Sequence, residues 1–196
     1  MGAAGPLRFL TDFADQAVVL PLVLAVALVL ALQGWRRGAA AWLVAIGATF
    51  AVILVLKLVF LGCTPLFGPA DMRSPSGHVA AATVIGGGLA AIFGAGPRFV
   101  PLVALLAAGA IGLTRVGLHQ HSWPEVVLGA ATGLAGALAL ARLAGPAPAL
   151  RLRPMLLTAV FVLALFHGRH MEAEVVIGQA ATGSGWFPAW CQDPLG

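Results

Sequence analysis

One lysine and two short stretches of the chain carry residue types that do chemistry. Lys57 lies inside an apolar run, where a lysine costs about 3 kcal/mol on membrane-insertion scales and is functional by default. The two stretches run from Arg73 to His78 and from Arg115 to Glu125. Clustered cations suit a phosphate group, and histidines suit nucleophilic and acid–base work near neutral pH. The pattern indicates phosphoryl transfer. For Lys57 there is an alternative, in which the side chain snorkels from the helix end to the membrane surface.

The first stretch is a polar turn before an apolar run: Arg73, Ser74, Pro75, Ser76, Gly77 and His78. Ser74 is a good N-cap and Pro75 suits the first helical position, so a helix is predicted to begin here. The amides of the last three residues lack carbonyl partners within such a helix, and with the helix dipole they form an anion site. Capping explains Ser74 and Pro75, but it does not explain the arginine and the histidine that flank the turn.

The second stretch also precedes a predicted helix, and Pro124 fits in the first turn of that helix. Ser122 and Glu125 have the spacing of a capping box, which needs no catalysis. His119 and His121 suit interfacial or metal-binding roles, and with Glu125 they offer the ligand types of a zinc site. Spacing alone leaves these alternatives open.

The composition decides what kind of molecule must hold these residues. Of 196 residues, 60% are hydrophobic and 9% are charged, against roughly 25% charged in a soluble domain. Two cysteines exclude a disulfide-rich secreted scaffold. The net charge of +4 comes from the small number of acids, and the arginines are scattered between apolar runs instead of forming the basic stripe of a nucleic-acid-binding protein. The sequence therefore predicts a polytopic membrane protein with no nucleic-acid partner.

Six apolar stretches approach the roughly 20 residues that a membrane-spanning helix needs. They are Ala17–Gln33, Ala39–Leu61, His78–Phe93, Phe99–Thr114, Val126–Leu143 and Arg151–His167. Backbone groups in lipid must be satisfied within the segment, so all six are predicted to be helices of one all-α domain. Residues 1–16 are predicted to form an amphipathic helix on the membrane surface, residues 17–167 the six-helix core, and residues 168–196 an outward C-terminal tail. No cleavable signal peptide is evident.

A G-x-x-x-G motif at Gly129 and Gly133 lies in the fifth predicted crossing. Such motifs let membrane helices approach each other closely, either within one chain or between two chains. Because they are common inside helix bundles, we favour packing within the monomer over dimerisation.

Arginines predict the orientation, because short loops rich in lysine and arginine stay on the cytoplasmic side. Six arginines fall in alternate loops at one end: Arg36, Arg37, Arg98, Arg142, Arg151 and Arg153. The other end has four arginines mixed with all seven acids. Both termini and the loops at 62–77 and 115–125 are therefore predicted to face outward. The expected location is the plasma (inner) membrane, with the site on its periplasmic or outer face.

At these residues the sequence resembles the type 2 phosphatidic acid phosphatase superfamily, the lipid phosphate phosphatases related to vanadium haloperoxidases. That family has three blocks, K-x6-R-P, P-S-G-H and S-R-x5-H-x3-D. The second block is intact over residues 75–78. The third block runs from Thr114 to Glu125, with Arg115 and His121 at the family spacing. Threonine and glutamate replace the serine and the aspartate of the family pattern.

The resemblance implies a catalytic role for three residues. His121 would be the nucleophile and would form a phosphohistidine intermediate. Glu125 would orient the imidazole of His121 and stabilise its charge, as the family aspartate does. His78 would protonate the leaving group and then activate water, while His119 would only line the site. The resemblance implies neither a metal ion nor a cofactor, because cations and the helix dipole would stabilise the charge.

The first block, whose residues bind the phosphate in the family, is the poorest match. Lys57 is present, but Thr64 stands where the family has an arginine. Either Arg73 takes over that role or the site has one cation fewer. The residues that the resemblance assigns to the phosphate are Lys57, Arg73, Ser76, Gly77 and Arg115.

The resemblance covers about residues 57–129, and the order of six helices agrees over nearly the whole chain. It implies removal of a phosphate from a lipid whose tail stays in the membrane. Polyprenyl diphosphate, phosphatidic acid, phosphatidylglycerol phosphate and lipid A phosphates all fit, and the sequence does not choose among them. Two other classes of function stay open. One is a non-catalytic relative that binds a phospholipid headgroup, and the other is a small lipid transporter with Lys57 as an intramembrane switch.

The C-terminal tail allows two interpretations. It is either a surface segment with Trp186 and Trp190 at the membrane interface, or a lid or headgroup contact beside the site. Cys63 and Cys191 are the two cysteines of the chain, and the predicted topology puts both in an oxidising compartment. We therefore predict a disulfide that pins the tail to the site loop.

Overall fold

The structure is a computed structural model, and it describes residues 4–63 and 72–183. These residues form eight α-helices and no strand. The helices are α1 (Ala4–Thr11), α2 (Gln16–Leu32), α3 (Arg36–Gly62), α4 (Gly77–Ile92), α5 (Phe99–Gly117), α6 (Trp123–Ala144), α7 (Leu152–Phe166) and α8 (Ala173–Gly183). All six predicted apolar stretches are helical, with ends that differ by up to three residues from the predicted ones.

Four segments of the described chain are long and apolar enough to cross a membrane: Gly5–Leu32, Arg36–Gly62, Phe99–Gly117 and Trp123–Ala144. Helices α4 and α7 are apolar but shorter, with 16 and 15 residues. At 1.5 Å per residue they are about 24 and 22 Å long, against a hydrocarbon core of about 30 Å. The structure therefore supports an all-α protein that crosses the membrane several times, and the number six stays a prediction.

The outer surface of the bundle has the character expected in lipid. Leu20, Leu24, Leu28 and Leu32 recur every fourth residue along one face of α2, and all four are exposed. Large apolar side chains also cover the outer faces of α3, α5 and α7. Soluble monomers rarely expose apolar patches of this extent, so lipid is the natural solvent for this surface.

Helix α4 lies at the centre of the bundle, in contact with α3, α5 and α6. Most of its residues are buried, and many of them are glycine or alanine. Small residues bring α6 close, because a Cβ added at Gly129 would overlap the carbonyl oxygen of Ser76, and one at Gly133 would overlap that of Ala80. The prediction that the G-x-x-x-G motif packs within the monomer is confirmed.

The N-terminal helix α1 is followed by a 3-10 turn over Asp12–Ala14 and by an extended residue, Asp15, which caps α2. Phe9 and Leu10 are exposed, whereas Thr11 and Asp12 are buried. The apolar side chains therefore face outward and the polar ones face the bundle, as suits a helix at a membrane interface. That α1 lies on the membrane surface stays a prediction.

From α2 to α7 successive helices run in opposite directions, as the contacts between their ends show, so the two ends of the bundle collect different residues. At one end the backbone amide of Arg151 donates to Gln33 Oε1 at 2.6 Å, and Arg37 Nε donates to the carbonyl of Leu143 at 2.9 Å. The other end gathers the starts of α2, α4, α6 and α8 and the ends of α3 and α5. We call this second end the polar end.

Candidate functional site

The turn before α4 differs in two respects from the prediction, because the helix begins after Pro75 rather than at it and one of the expected free amides has a partner. Ser76, not Ser74, is the N-cap of α4, and its hydroxyl accepts from the Val79 amide at 3.5 Å. The Ser76 amide was expected to be free, but it donates to the carbonyl of Glu125 at 3.1 Å. The expected anion site is therefore reduced to the first two helical residues, Gly77 and His78, whose amides have no carbonyl partner within a helix.

Glu125 is the carboxylate that joins the two predicted stretches. It is 4% exposed. Its Oε1 accepts from the amides of Arg73 at 2.6 Å and Ser74 at 2.7 Å. Its Oε2 accepts from the Ser122 amide at 2.9 Å and lies 2.9 Å from His121 Nδ1. A capping role accounts for the bond to Ser122, but it does not account for the other three.

The glutamate, which is one methylene longer than the aspartate of the family pattern, still reaches the histidine. The contact to Glu125 occupies Nδ1 of His121 and leaves Nε2 as the ring nitrogen that can react. The His121 side chain is 6% exposed. Burial lowers the pKa of His121, and the positive charges of Arg115 and Lys57 lower it further, against the opposing effect of Glu125. A neutral imidazole at neutral pH is the form that a nucleophile requires.

Lys57 is 1% exposed and lies at the polar end of α3. A Cβ added at Gly77 would lie 3.5 Å from Lys57 Cε, so the lysine packs against the start of α4. Its Nζ is 3.5 Å from Ser74 Oγ and 2.6 Å from both carboxylate oxygens of Glu174. The lysine points into the bundle, so the snorkelling alternative is wrong.

Glu174 was not among the predicted site residues. It lies in the first turn of α8, which packs against α3, and its side chain is 41% exposed. Of the two interpretations of the tail, the structure favours a contact beside the site for Ala173–Gly183. The sequence carried no local signal for it, because 117 residues separate Glu174 from Lys57. The interfacial roles predicted for Trp186 and Trp190 lie outside the described residues.

Arg115 lies at the end of α5 and is 7% exposed. Its Nε has no hydrogen-bond partner among the described residues. The neighbouring Thr114 hydroxyl donates to the carbonyl of Ile111 at 2.7 Å, so this side chain serves the helix backbone. Arg115 therefore brings a buried positive charge to the polar end with hydrogen-bonding capacity to spare.

His78 has a carboxylate neighbour that sequence reasoning also missed. Its Nε2 lies 3.7 Å from Asp15 Oδ2, and Asp15 is 5% exposed. The other oxygen, Oδ1, accepts from the amides of Ala17 at 2.8 Å and Met171 at 3.2 Å, which holds the carboxylate in place. Asp15 was assigned only to the amphipathic segment, because nothing in its local sequence indicates a contact with α4.

Two cavities reach the site from different sides. The larger, about 640 Å³, is lined by residues of the second stretch together with Arg73, and it includes His119, His121 and Glu125. The smaller, about 230 Å³, lies between α2, α3 and α8 and reaches Lys57 and Gly77. The larger cavity thus includes the histidine, and the smaller one includes the lysine.

The residues expected to hold a phosphate fall into two groups. Lys57, Gly77 and Arg115 lie at or near the buried centre, close enough for Lys57 and Arg115 to act electrostatically on His121. Arg73 lies at the rim, with an exposed side chain in the larger cavity and its amide on Glu125. The Ser76 side chain is turned to its own helix as a cap.

His119 lines the larger cavity, as expected of a site wall. It has a left-handed backbone conformation, with φ of 54°, which is uncommon for a residue other than glycine. Among the described residues no group of three or more His, Cys, Asp or Glu side chains is arranged to hold a metal ion. The zinc alternative from His119, His121 and Glu125 is therefore not formed.

Cys63 follows α3 and is 5% exposed. No free cysteine is present in the described part of the chain. Its predicted partner, Cys191, lies outside the described residues, so the disulfide stays a prediction.

The fold and the site define an α-helical, multi-pass membrane protein with buried ionisable residues at one end of its bundle. A Klebsiella pneumoniae protein described as an uncharacterized 22.5 kDa protein in the cps region is 30% identical over 135 residues. The alignment spans 66% of this chain and 65% of that protein, so it covers less than two thirds of the relative. No family model and no solved structure matches the chain.

Proposed function

We propose that this protein is a lipid phosphate phosphatase that works through a phosphohistidine on His121. The observation that carries the proposal is the pair of His121 and Glu125, 2.9 Å apart and flanked by the buried cations Arg115 and Lys57. A neutral histidine held by a carboxylate next to fixed positive charge suits attack on a phosphorus atom. The resemblance of residues 75–78 and 114–125 to the type 2 phosphatidic acid phosphatase blocks supports the same chemistry.

In the first step Nε2 of His121 attacks the phosphorus atom. The bond from phosphorus to the lipid oxygen breaks, and protonated His78 gives its proton to that oxygen. Glu125 stabilises the positive imidazole ring that forms, while Lys57 and Arg115 bind the phosphate oxygens. In the second step water attacks the phosphohistidine and gives its proton to His78, the P–N bond breaks, and inorganic phosphate leaves.

The substrate we propose is a membrane lipid with a terminal phosphate or diphosphate, such as polyprenyl diphosphate, phosphatidic acid or phosphatidylglycerol phosphate. The apolar outer surface keeps the lipid tail beside the bundle, and the polar end presents the catalytic groups at headgroup level. We further propose that α4 and α7 also cross the membrane, so that there are six crossings. The polar end would then face the periplasm or the cell exterior, as the arginine-rich opposite end suggests.

The proposed enzyme includes a disulfide between Cys63 and Cys191. Its support is that Cys63 is buried and that no free cysteine occurs among the described residues. Such a bond would tie the C-terminal segment to the end of α3, close to Lys57.

Phosphate release by the purified protein tests the proposal. A panel of lipid phosphates is supplied with a chelator present, and wild type is compared with His121→Ala. The matched control is His119→Asn, because asparagine tolerates the left-handed conformation of this neighbouring histidine. We expect release that survives the chelator, falls to background in His121→Ala and is largely retained in His119→Asn.

Other outcomes would favour other functions. No release from any lipid would favour the non-catalytic headgroup-binding relative, or the transporter if the lipid is moved without hydrolysis. Release that the chelator abolishes would contradict the metal-independent mechanism. An equal loss of phosphate release in both histidine variants would contradict a specific role for His121.

A further inference from the structure

Glu174 forms an ion pair with Lys57, the cation that the proposed mechanism needs to bind the phosphate. Both carboxylate oxygens lie 2.6 Å from Lys57 Nζ, so the bidentate contact resembles the way in which two phosphate oxygens would bind. The carboxylate is also close enough to interact electrostatically with Arg115 and His78. Glu174 therefore lies among the groups assigned to phosphate and the leaving group.

The ion pair is unequal, and this indicates which partner can move. Lys57 is 1% exposed and belongs to a helix of 27 residues, whereas the Glu174 side chain is 41% exposed. Helix α8 has 11 residues, and its main contact with another helix is with α3. Glu174 is therefore the partner that is free to move, by rotation of its own side chain.

A second observation shows that the site has an unused donor for an anionic ligand. Arg115 is 7% exposed, and its Nε has no hydrogen-bond partner among the described residues. A buried guanidinium nitrogen without a partner is costly unless a ligand supplies an acceptor. Glu174 neutralises part of the local charge, but it leaves this donor unused.

We propose that Glu174 is a specificity-determining residue that reserves Lys57 for terminal phosphates and keeps phosphodiesters out. The inference rests on the proposed function and names the class of headgroup that the site accepts. A phosphodiester carries one negative charge, the same as the carboxylate that it would displace. A terminal phosphate carries about 1.5 to 2 negative charges at neutral pH. In a site of low dielectric constant the extra charge strengthens the attraction to Lys57 and Arg115.

The lipids around the protein explain why the site needs this selectivity. Ordinary glycerophospholipids carry their headgroups as phosphodiesters and surround the protein in large excess over any lipid with a terminal phosphate. An open pair of buried cations would therefore be occupied by bulk lipid. A carboxylate tethered in the chain has the same charge as those monoanions and a higher effective concentration at Lys57, so it excludes them. It yields to a more highly charged headgroup, and in this way Glu174 discriminates against the wrong ligand.

Binding of two short-chain lipids with identical tails tests the proposal. Dihexanoyl phosphatidic acid has a terminal phosphate, and dihexanoyl phosphatidylglycerol has a phosphodiester. Their dissociation constants are measured by calorimetry on the detergent-solubilised full-length chain carrying His121→Ala, which prevents hydrolysis. Glu174→Gln, added to this chain, keeps the shape of the side chain and removes its charge.

We expect Glu174→Gln to strengthen phosphodiester binding more than terminal-phosphate binding, so that the ratio of the two affinities falls about tenfold. Glu172→Gln is the matched control. Glu172 is an exposed acid two residues earlier, so its substitution removes the same charge from the same segment. It should leave the ratio unchanged. Glu174→Asp, which restores the charge, should recover most of the selectivity. If Glu174→Gln does not purify as a monodisperse protein, Glu174→Ala repeats the measurement without a buried amide.

An unchanged ratio in the glutamine variant, or binding of neither lipid, would overturn the proposal. The same fall in Glu172→Gln would also overturn it, since the effect would then be one of overall charge. Hydrolysis is assayed separately with His121 intact. If the ratio falls but no lipid is hydrolysed, the phosphatase proposal fails while the selectivity of Glu174 stands. If lipids are hydrolysed but the ratio is unchanged, only the role of Glu174 fails.

Discussion

At the scale of single residues, Glu125 shows how one buried carboxylate accepts hydrogen bonds from the backbone and also holds a histidine ring. Four donors share its two oxygens: the amides of Arg73, Ser74 and Ser122, and the ring of His121. A carboxylate with several charge-assisted bonds is held firmly, so the His121 ring that it contacts is held as well. The longer side chain of glutamate lets it span the distance between the 73–74 turn and the histidine.

The lowered pKa of His121 predicts the acid side of a pH–rate profile. Neutral Nε2 is the nucleophile, so activity is lost as falling pH protonates the ring. Because burial and two cations lower the pKa, that loss should occur below the ordinary histidine value of about 6.5. The measurement is kcat/KM against pH for a short-chain lipid phosphate, with tryptophan fluorescence recording the folded fraction at each pH. An acid limb at or above 6.5 in a folded protein would contradict the prediction.

At the scale of helices, the pattern of apolar residues predicts well which segments are helical, and it predicts less well where each helix begins at the polar end. The start of α6 was predictable, because a serine, a proline and a glutamate have fixed places in a first turn. The start of α4 was placed two residues early, since Ser74 and Ser76 are both good caps. The amides of both serines bond to Glu125, which is distant in sequence, and a local pattern does not contain such contacts.

Close packing of α4 on α6 should be sensitive to a single methyl group. Gly129→Ala places a Cβ against the carbonyl of Ser76, so the helices must separate at the turn that positions His78 and Glu125. We expect a loss of about 1–3 kcal/mol in the free energy of unfolding and a lower rate of phosphate release. Thermal unfolding in detergent and the release assay measure the two effects.

The control for this change is Gly109→Ala in α5, where an added Cβ meets nothing within 4 Å. Both substitutions raise intrinsic helix propensity equally, so a difference between them reports packing. Equal melting temperatures for the two variants would show that α6 and α4 can separate at no cost, and would contradict the prediction.

At the scale of the whole molecule, alternation of helix direction brings distant residues to one end. It explains why the sequence alone predicts one site for Lys57 and for Arg115 and His121, which lie far from that lysine in the chain. The same logic did not identify Asp15 or Glu174, because each lies next to an element end that carried no motif. Acids near helix starts are common for reasons of capping and dipole alone, so their type and position do not distinguish a site residue.

The arginine distribution makes a prediction about the orientation of the whole molecule and the number of crossings. With six crossings, the loop between α5 and α6 and the loop between α6 and α7 lie on opposite sides of the membrane, the first one outside. Gln120→Cys and Ala147→Cys place exposed thiols in these two loops. On intact cells an impermeant maleimide should label Gln120→Cys and not Ala147→Cys, while permeabilised cells, the control, should show both. The reverse pattern would invert the topology and put the polar end in the cytoplasm. Labelling of both thiols on intact cells would show that α6 does not cross the membrane.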